Sequence, residues 1–199
     1  VIAHGSSTLL YAGLLKWFAK KPKVIYRNIG MASHWAKNKV VTLLYRLALR
    51  RLDGIVTLGH VTKVDLIHHY RLPTERIHVI PNAVDTVALA SLDVSASRRA
   101  TRSKLGLSDD EFVLINVGSL SPEKNQRLLL DLLAHLRQAG VHASLLVAGS
   151  GPLKADLEEY ARELNIASYV RFLGSRTDVP DLLAASDLMV MPSLTESMP

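Results

Sequence analysis

The sequence has no cysteine, few aromatic residues and no long apolar run. Without cysteine there can be no disulfide scaffold, no zinc–thiolate site and no cysteine nucleophile. No apolar run approaches the ~18–20 residues that a membrane-spanning helix needs. Aromatic residues make up only 6% of the chain, which is too few for a surface that stacks bases, so we expect no nucleic-acid partner.

Several catalytic patterns are also missing. There is no Asp-x-Asp pair to hold a divalent metal with a diphosphate, no G-x-x-x-x-G-K-[ST] phosphate loop and no G-x-S-x-G nucleophile elbow. His68 and His69 are adjacent, so on a helix they point in different directions and make a poor metal pair. With eight histidines, the residues alone leave a metal site open but give it no support, and our expectation is no metal and no other cofactor.

The net charge of +6 is unevenly spread along the 199 residues. Residues 1–110 carry 17 Lys and Arg against seven Asp and Glu, whereas residues 111–199 carry seven against 11. Such asymmetry indicates two parts with different partners. A basic part attracts nucleic acid, anionic lipid or a phosphorylated substrate, and the alternative is a solvated basic surface.

Short apolar runs alternate with longer stretches of helical period, which predicts βαβ units and parallel sheets. Strands are predicted over 1–3, 24–27, 54–58, 77–80, 112–117, 144–148, 170–173 and 188–191. Helices are predicted over 8–18, 39–52 with Asn38 as N-cap, 61–70, 97–105, 123–138, 153–164 and 179–185. The strands after 111 are almost wholly apolar, which predicts burial on both faces.

The alternation breaks between 83 and 110, which predicts three segments. Residues 1–82 form one domain, 83–110 a linker with a linking helix, and 111–199 a second domain. The chain starts at Val1 in a strand-like run, with no start methionine or signal peptide, and ends at Pro199 just after another such run. We expect a fragment in which both domains are incomplete.

In open parallel α/β sheets, ligands bind beyond the carboxyl ends of the strands. Three of the four strands after 111 are followed there by glycine, at Gly118, Gly149 and Gly174. The loop from Gly118 to Lys124 leads into a predicted helix start, which favours an anion, and Lys124 adds a positive charge. The alternative is that Ser121 caps the helix and Lys124 is a surface residue.

Two further loops carry weaker signals. Gly149-Ser150-Gly151 begins like a dinucleotide motif, but position 154 holds lysine instead of the third glycine, and the motif follows the second strand of its part. Glu196 follows the last strand in a Ser/Thr-rich loop, where a carboxylate can bind sugar hydroxyls or stabilise developing positive charge. The alternative for Glu196 is a surface glutamate.

The predicted helix after Asn38 has a basic stripe of Lys39, Arg46 and Arg50. Its apolar residues are predicted to lie opposite, against the core: Val40, Val41, Leu44, Leu47, Ala48 and Leu52. The stripe indicates contact with anionic lipid or a phosphorylated acceptor, and the alternative is a solvated face.

Three ordered stretches resemble retaining glycosyltransferases of family 4, also called group 1. They are NVGSLSPEKNQRLLLD at 116–131, LLVAGSGPLKADLEE at 145–159 and YVRFLGSRTDVPDLLAASDLMVMPSLTES at 169–197. VIPNAVD at 79–85 resembles the segment between that family's two domains. The resemblance implies the GT-B architecture, in which two Rossmann-like α/β domains face a cleft, the second binding a nucleotide-activated sugar and the first the acceptor.

The resemblance also implies roles for residues on the donor side. Gly118, Ser119 and Lys124 resemble the donor-diphosphate loop, with Ser119 where many members have arginine. Nucleotide binding is expected at Gly149, Gly151, Phe172, Leu173 and Gly174. Glu196 resembles the first glutamate of the E-x-x-x-x-x-x-x-E motif that engages the donor sugar, with Ser197 and Met198 beside it.

On the acceptor side, His4 resembles a histidine that ends a strand near the transferred sugar. Arg27 and Asn28 end the next strand, where many members have another histidine. We expect these two residues, with Lys39, Arg46 and Arg50, to lie on the acceptor or membrane side. His4 and Glu196 are the expected catalytic residues.

The activity implied is transfer of a sugar from a nucleotide-activated donor to a glycan or a phosphorylated lipid-linked acceptor. The resemblance further implies retention of configuration, no metal, and a place in bacterial cell-envelope polysaccharide synthesis. The expected location is the cytoplasm, with peripheral contact to the anionic inner face of the membrane. The alternatives are a GT-B nucleotide-sugar epimerase, an NAD-dependent Rossmann oxidoreductase and a non-enzymatic sugar- or lipid-binding module.

Overall fold

The computed structural model describes residues 1–19, 21–34 and 38–196, which fall into two compact units. The first unit takes in residues 1–84 together with Thr195 and Glu196. The second unit takes in residues 85–194, so the segment 85–110 belongs to it by its contacts.

The first unit is a four-stranded parallel sheet whose strands are joined by helices. In both sequence and spatial order, the strands are β1 (Ile2–His4), β2 (Ile25–Asn28), β3 (Gly54–Thr57) and β4 (Ile77–Val79). The helices are α1 (Ser6–Phe18), α2 (Lys39–Arg51) and α3 (His60–Tyr70). All lie within two residues of their predicted bounds, and Asn38 caps α2 as predicted by accepting from the Val41 N–H at 2.9 Å.

All three helices pack on the same face of this sheet. Because each strand lies beside its predecessor, right-handed crossovers carry every helix to one side. One core joins alternate strand residues to a stripe from each helix: Ala3, Tyr26, Ile55, Ile77, Leu9, Leu49 and Leu66. On the other face, Ile2 and Ile25 are exposed.

The second unit has four parallel strands in the order β7-β6-β5-β8. The strands are β5 (Phe112–Val117), β6 (Ala143–Ala148), β7 (Val170–Gly174) and β8 (Leu188–Met189). The helices are α4 (Thr86–Ala90), α5 (Val94–Leu105), α6 (Arg127–Gln138), α7 (Lys154–Glu163) and α8 (Val179–Ala185). The short α4 was not predicted, and the helix predicted from 123 begins at Arg127.

Helices cover both faces of the second sheet. One core packs α6 and α7 against the sheet through Leu129, Leu133 and Leu157, and the other packs α8 through Leu182. Burial on both faces is therefore confirmed for β5 and β6. The same prediction is wrong for β8. Both residues of this strand are exposed, because β8 is short and lies at the sheet edge.

Arg102 on α5 ties this helix to the amino edge of the second sheet. Its side chain is almost completely buried. The guanidinium donates to the carbonyl oxygens of Ala185 at 2.8 Å, Ser108 at 2.9 Å and Glu111. It thereby joins the end of α8 to the loop that enters β5.

Asp187, just before β8, completes this network. It accepts from the Val113 N–H at 2.7 Å and from Arg98 at 2.6 Å, and Arg102 lies 3.5 Å away. Burial acts to raise the pKa of Asp187, but these hydrogen bonds and the two arginines outweigh it and hold the pKa below its usual range. The carboxylate stays charged and keeps the starts of β5 and β8 in register.

Replacing Arg102 by alanine should destabilise the chain by ~3–5 kcal/mol, because three carbonyl oxygens lose their donor and the partly buried Asp187 loses one of its two arginines. Arg99→Ala is the matched control, since Arg99 is exposed on the same helix. That control should change stability by less than ~0.5 kcal/mol. Urea unfolding followed by circular dichroism measures both variants, and equal effects would show that the Arg102 network does not hold α5.

Candidate functional site

The strand order creates a topological switch point on the carboxyl edge of the second sheet. From β5 the chain moves outward to β6 and β7, and it then returns to place β8 on the other side of β5. The loops after β5 and β8 border this switch point, which is where open α/β sheets bind ligands. Residues 118–126 and 190–194 form the two sides.

Two buried amides hold these sides together. Gln126 donates to the carbonyl oxygen of Ser119 at 2.8 Å and to Oδ1 of Asn116 at 3.4 Å. Asn116 in turn donates to the carbonyl oxygen of Val190 at 2.8 Å. The loop after β5 is therefore anchored both to its own strand and to the exit of β8. Sequence reasoning missed both residues, because a buried amide and a surface amide look alike in a sequence.

The loops after β5 and β6 meet backbone against backbone. Gly149 has a φ of +153°, and a Cβ there would overlap the carbonyl oxygen of Gly118. A Cβ at Gly151 would overlap the carbonyl oxygen of Leu120. Hydrogen bonds close the contact, from the Leu120 N–H to the Ser150 carbonyl oxygen at 3.0 Å and from the Gly118 N–H to that of Ala148 at 2.9 Å. Gly149 and Gly151 thus shape the loop instead of forming a dinucleotide motif.

The side chain of Lys124 lies over Gly118. A Cβ built at Gly118 would be 3.9 Å from both Cδ and Cε of Lys124, so the lysine stem crosses the loop at that point. The structure therefore brings together two of the residues predicted for phosphate binding.

The predicted helix start at this loop is wrong. Pro122–Lys124 is a single 3-10 turn, and Asn125 follows in the left-handed region with a φ of +52°, which breaks the helix before Arg127. Ser121 does not cap a helix either, since its hydroxyl donates to Glu123 at 2.8 Å. The positive charge at this loop therefore comes from Lys124 and not from a helix beginning there.

Hydroxyl groups line the same edge of the sheet. The hydroxyl oxygens of Ser119 and Ser121 are 3.0 Å apart, and those of Ser150 and Ser175 are also 3.0 Å apart. The second pair joins the loops after β6 and β7. A Gly-Ser pair after each of three strands was the sequence signal for these contacts.

The remaining residues expected at the nucleotide lie on β7. Phe172 and Leu173 are half-buried and pack on the two cores, one on each side of the sheet. Gly174 ends the strand with a φ of +68°, and open space surrounds the position of its missing Cβ. A ligand at the loop edge could therefore approach Gly174, whereas Phe172 and Leu173 pack against the cores.

In the first unit, His4 and Arg27 are partners in the register of β1 and β2. His4 is exposed, and the Arg27 guanidinium donates to Oδ1 of Asn82. Asn28 is fully buried, and its Oδ1 accepts from the Gly30 N–H at 3.5 Å. His4 and Arg27 thus form one polar group at the carboxyl edge of this sheet, whereas Asn28 supports the turn behind it.

The residues expected at the donor sugar are described only in part. Glu196 is half-buried and groups with the first unit. Ser197 and Met198 lie outside the described residues.

The basic stripe on α2 has different surroundings from those predicted. Lys39 is exposed, Arg46 is half-buried with its Nε enclosed, and Arg50 donates to the carbonyl oxygen of Arg71 at 3.2 Å. The predicted core face is wrong in part, since Val40, Leu44 and Leu47 are exposed. Ala48 and Leu49 are the buried residues of α2, because contact with α1 and the sheet covers only part of its wide apolar arc.

Two negative findings apply to the described part of the chain alone. Over these ranges, no three His, Asp or Glu side chains group closely enough to hold a metal ion. Every helix within 1–19, 21–34 and 38–196 is too short or too polar to cross a bilayer.

Family models match both units. A model described as "Glycosyl transferases group 1" matches residues 97–199, and one described as "Glycosyltransferase Family 4" matches residues 1–88. The chain belongs to the group 1, family 4 glycosyltransferases.

Curated relatives agree with this assignment. The chain is 30% identical over 207 residues to the Escherichia coli UDP-Gal:alpha-D-GlcNAc-diphosphoundecaprenol alpha-1,3-galactosyltransferase, covering 100% of this chain and 53% of that protein. It is 30% identical over 165 residues to the 2-deoxystreptamine glucosyltransferase of Streptomyces kanamyceticus, covering 81% and 42%. The chain spans about half the length of these relatives.

Solved structures confirm the predicted α/β fold of GT-B type. Anabaena Alr3699/HepE in complex with UDP-glucose has a TM-score of 0.82 at 22% identity, covering 98% of this chain and 53% of that one. WaaG, a glycosyltransferase involved in lipopolysaccharide biosynthesis, has a TM-score of 0.70 at 22% identity, covering 92% and 56%.

Gly149→Ala should separate the loops after β5 and β6, because its Cβ would overlap the Gly118 carbonyl and the residue would be strained. Gly174→Ala is the matched control, since it has positive φ but open space around it. The control should lower the free energy of unfolding by ~1–2 kcal/mol, because alanine is strained in the left-handed backbone region. Gly149→Ala should lower it by clearly more. Urea unfolding measures both, and a Gly149→Ala cost no larger than that of the control would contradict the close contact.

Proposed function

We propose that the protein transfers a sugar from a nucleoside-diphosphate donor, and that the donor's diphosphate binds at the Gly118–Lys124 loop. The observation that carries this proposal is the Lys124 stem crossing Gly118 at the switch point of the second sheet. The lysine stem lies against the loop backbone at Gly118, and its ammonium group supplies a charged donor for phosphate. The serine hydroxyls beside it add neutral donors.

The chemistry of transfer explains why such a loop is useful. The bond between the anomeric carbon and the phosphate oxygen breaks, and the acceptor oxygen bonds to that carbon. The departing diphosphate keeps the bonding electrons and gains negative charge, while the acceptor proton passes to a phosphate oxygen. A fixed positive charge beside the leaving group stabilises the transition state more than it stabilises the bound donor. Lys124 therefore lowers the free-energy barrier to transfer.

The donor and acceptor classes follow from similar proteins. Alr3699/HepE, which has the same fold, is solved with UDP and with UDP-glucose, which supports a UDP-sugar donor. The name of the Escherichia coli relative specifies a sugar linked to diphosphoundecaprenol, which supports a phosphorylated lipid-linked acceptor. The acceptor would approach the edge of the first sheet that carries His4 and Arg27.

Retention of configuration and independence from metal are further parts of the proposal. Both rest on family membership, and metal independence also fits a loop in which Lys124 meets the charge of the leaving group. We place the reaction in the cytoplasm, at the inner face of the membrane.

Transfer that persists in excess EDTA would support metal independence, and loss of transfer that Mg²⁺ restores would overturn it.

Lys124→Met should weaken UDP binding, because it keeps the stem over Gly118 and removes the charge. Loss of a charge-assisted hydrogen bond predicts a ~10- to 100-fold lower affinity. Lys104→Met, at an exposed position on α5, is the control and should leave the affinity unchanged. Calorimetric titration of the whole protein measures both variants. Equal UDP affinity in wild type and Lys124→Met would remove Lys124 from the site.

Glu196→Gln should lower kcat by ~10²-fold or more, the scale of losing one preorganised electrostatic group, because the carboxylate would favour positive charge at the anomeric carbon. UDP affinity should hardly change, since UDP has no sugar for Glu196 to contact. Glu163→Gln, at an exposed position on α7, controls for the loss of charge. Normal kcat with weakened UDP binding would place Glu196 at the nucleotide instead.

Product analysis separates transfer from the remaining alternatives. The whole protein would be incubated with a UDP-sugar labelled in the sugar, with and without a lipid-linked acceptor. A transferase moves label to lipid only when the acceptor is present. An epimerase converts the sugar without acceptor, and a binding module does neither, so either of these results would overturn the proposal.

A further inference from the structure

Beyond β8, the chain stays attached to the strand and loop of β5. The Val190 N–H donates to the carbonyl oxygen of Ile115 at 2.9 Å, which extends the pairing of the two strands by one residue. The carbonyl oxygen of Val190 accepts from the Asn116 amide at 2.8 Å, where a side chain takes over from the backbone ladder. The pairing thus continues past Met189, at which β8 ends.

The turn at 122–125 makes the next two attachments. The Leu194 N–H donates to the carbonyl oxygen of Glu123 at 2.8 Å. The side-chain amide of Asn125 donates to the carbonyl oxygen of Pro192 at 3.4 Å. These two hydrogen bonds form a clamp between the turn and the chain that leaves β8.

The clamp lies close in sequence to Glu196. The attached residues, Val190, Pro192 and Leu194, alternate along the chain, which is the pattern of a paired strand edge. Leu194 is the last residue of the second unit, and Glu196 follows two residues later. Because two residues span at most ~7 Å, the clamp limits where the Glu196 backbone can lie.

The residue type at 125 favours a role for its side chain. Asn125 has a φ of +52°, in the left-handed region, where glycine is the least strained residue. Asparagine tolerates this region and also has an amide donor that glycine lacks. The amide is half-buried and is bonded to the Pro192 carbonyl oxygen, so the side chain adds a contact that the turn itself does not need.

We infer that Asn125 is a positioning residue for sugar transfer. The turn that carries Lys124 also holds, through Asn125, the loop that leads to Glu196. Asn125 acts through the backbone of Pro192 and not by contact with the donor. The inference rests on the proposed function, which assigns the diphosphate to Lys124 and the sugar to Glu196.

The reaction gives a reason for such a link. The bond that breaks joins the sugar to the diphosphate, so the groups that meet its two ends must keep a fixed separation. A misplacement of ~1 Å can lower a rate by ~10²-fold. With Lys124 on the turn and Glu196 just beyond the clamp, one short segment of chain sets the position of both.

Asn125→Gly tests this role, because it removes the amide and keeps the left-handed backbone. In the whole protein, kcat for transfer should fall roughly three- to tenfold, the loss expected for one neutral hydrogen bond. The Kd for UDP should change less than about twofold, since Lys124 keeps its place on the turn.

Asn165→Gly is the matched control. Asn165 is also left-handed, with a φ of +58°, and its amide donates to the carbonyl oxygen of Glu163 at the end of α7. The same substitution there should leave kcat and the Kd for UDP unchanged. A loss of kcat equal to that of Asn125→Gly would show a general effect of glycine and overturn the inference.

A double variant shows whether Asn125 acts through Glu196. Adding Asn125→Gly to Glu196→Gln should lower kcat by less than about twofold further, because the carboxylate that the clamp positions is already absent. Two effects that multiply in full would mean that Asn125 acts independently of Glu196, and the inference would fail.

Hydrogen exchange at the Leu194 amide measures the clamp without turnover. Asn125→Gly should speed this exchange, because the chain loses its attachment at Pro192 and the Leu194 N–H separates from Glu123 more often. Asn165→Gly should leave it at the wild-type rate. Equal exchange in wild type and Asn125→Gly would show that Asn125 does not hold the loop, which contradicts the inference.

The remaining outcomes keep the two proposals apart. If Asn125→Gly weakens UDP binding as much as it lowers kcat, Asn125 supports the phosphate loop alone and the inference is wrong. Normal kcat in Asn125→Gly, with a large loss in Glu196→Gln, would likewise sink the inference and leave the proposed function standing. Unchanged UDP affinity in Lys124→Met, with faster Leu194 exchange and lower kcat in Asn125→Gly, would remove the donor site and support the positioning role.

Discussion

A contact between two loop backbones organises the second unit's site. The chain after β6 passes so close to the chain after β5 that a side chain at Gly149 would occupy the place of the Gly118 carbonyl oxygen. That approach sets the course of the loop from Gly118, and the buried Gln126 fixes the same loop from the other side. Lys124 then lies across a loop that is already shaped, so its charge stands at a defined point.

Much of the architecture was predictable because the signals were local. Alternating apolar runs predicted both sheets, and each predicted strand and helix is present within a few residues. The phosphate-binding role of Gly118 and Lys124 stays a prediction, whereas the place of their loop after a strand was predicted correctly. The helix start was not, because it depends on Asn125 adopting a left-handed backbone after the turn at Pro122, and a sequence leaves that choice open. The buried partners Asn116 and Gln126 were missed because tertiary packing decides which amides are enclosed.

The first unit departs from the sequence prediction for one topological reason. Its strands follow one another in order, so all three helices gather on one face and crowd there. Each helix can then turn only part of its apolar arc toward the sheet. The remainder of α2, including Leu44 and Leu47, faces an open groove beside α1. An apolar arc in a sequence predicts that a helix packs against something, and it does not say whether that partner is a sheet or a neighbouring helix.

The most direct test of the donor site is a crystal structure of the whole protein with UDP. The account predicts that the diphosphate lies against the loop from Gly118 to Ser121, with Lys124 Nζ within ~3 Å of a phosphate oxygen. The nucleoside should extend past Gly149 toward Gly174, along the carboxyl edge of the second sheet. A diphosphate bound elsewhere, with Lys124 turned away from it, would contradict the account.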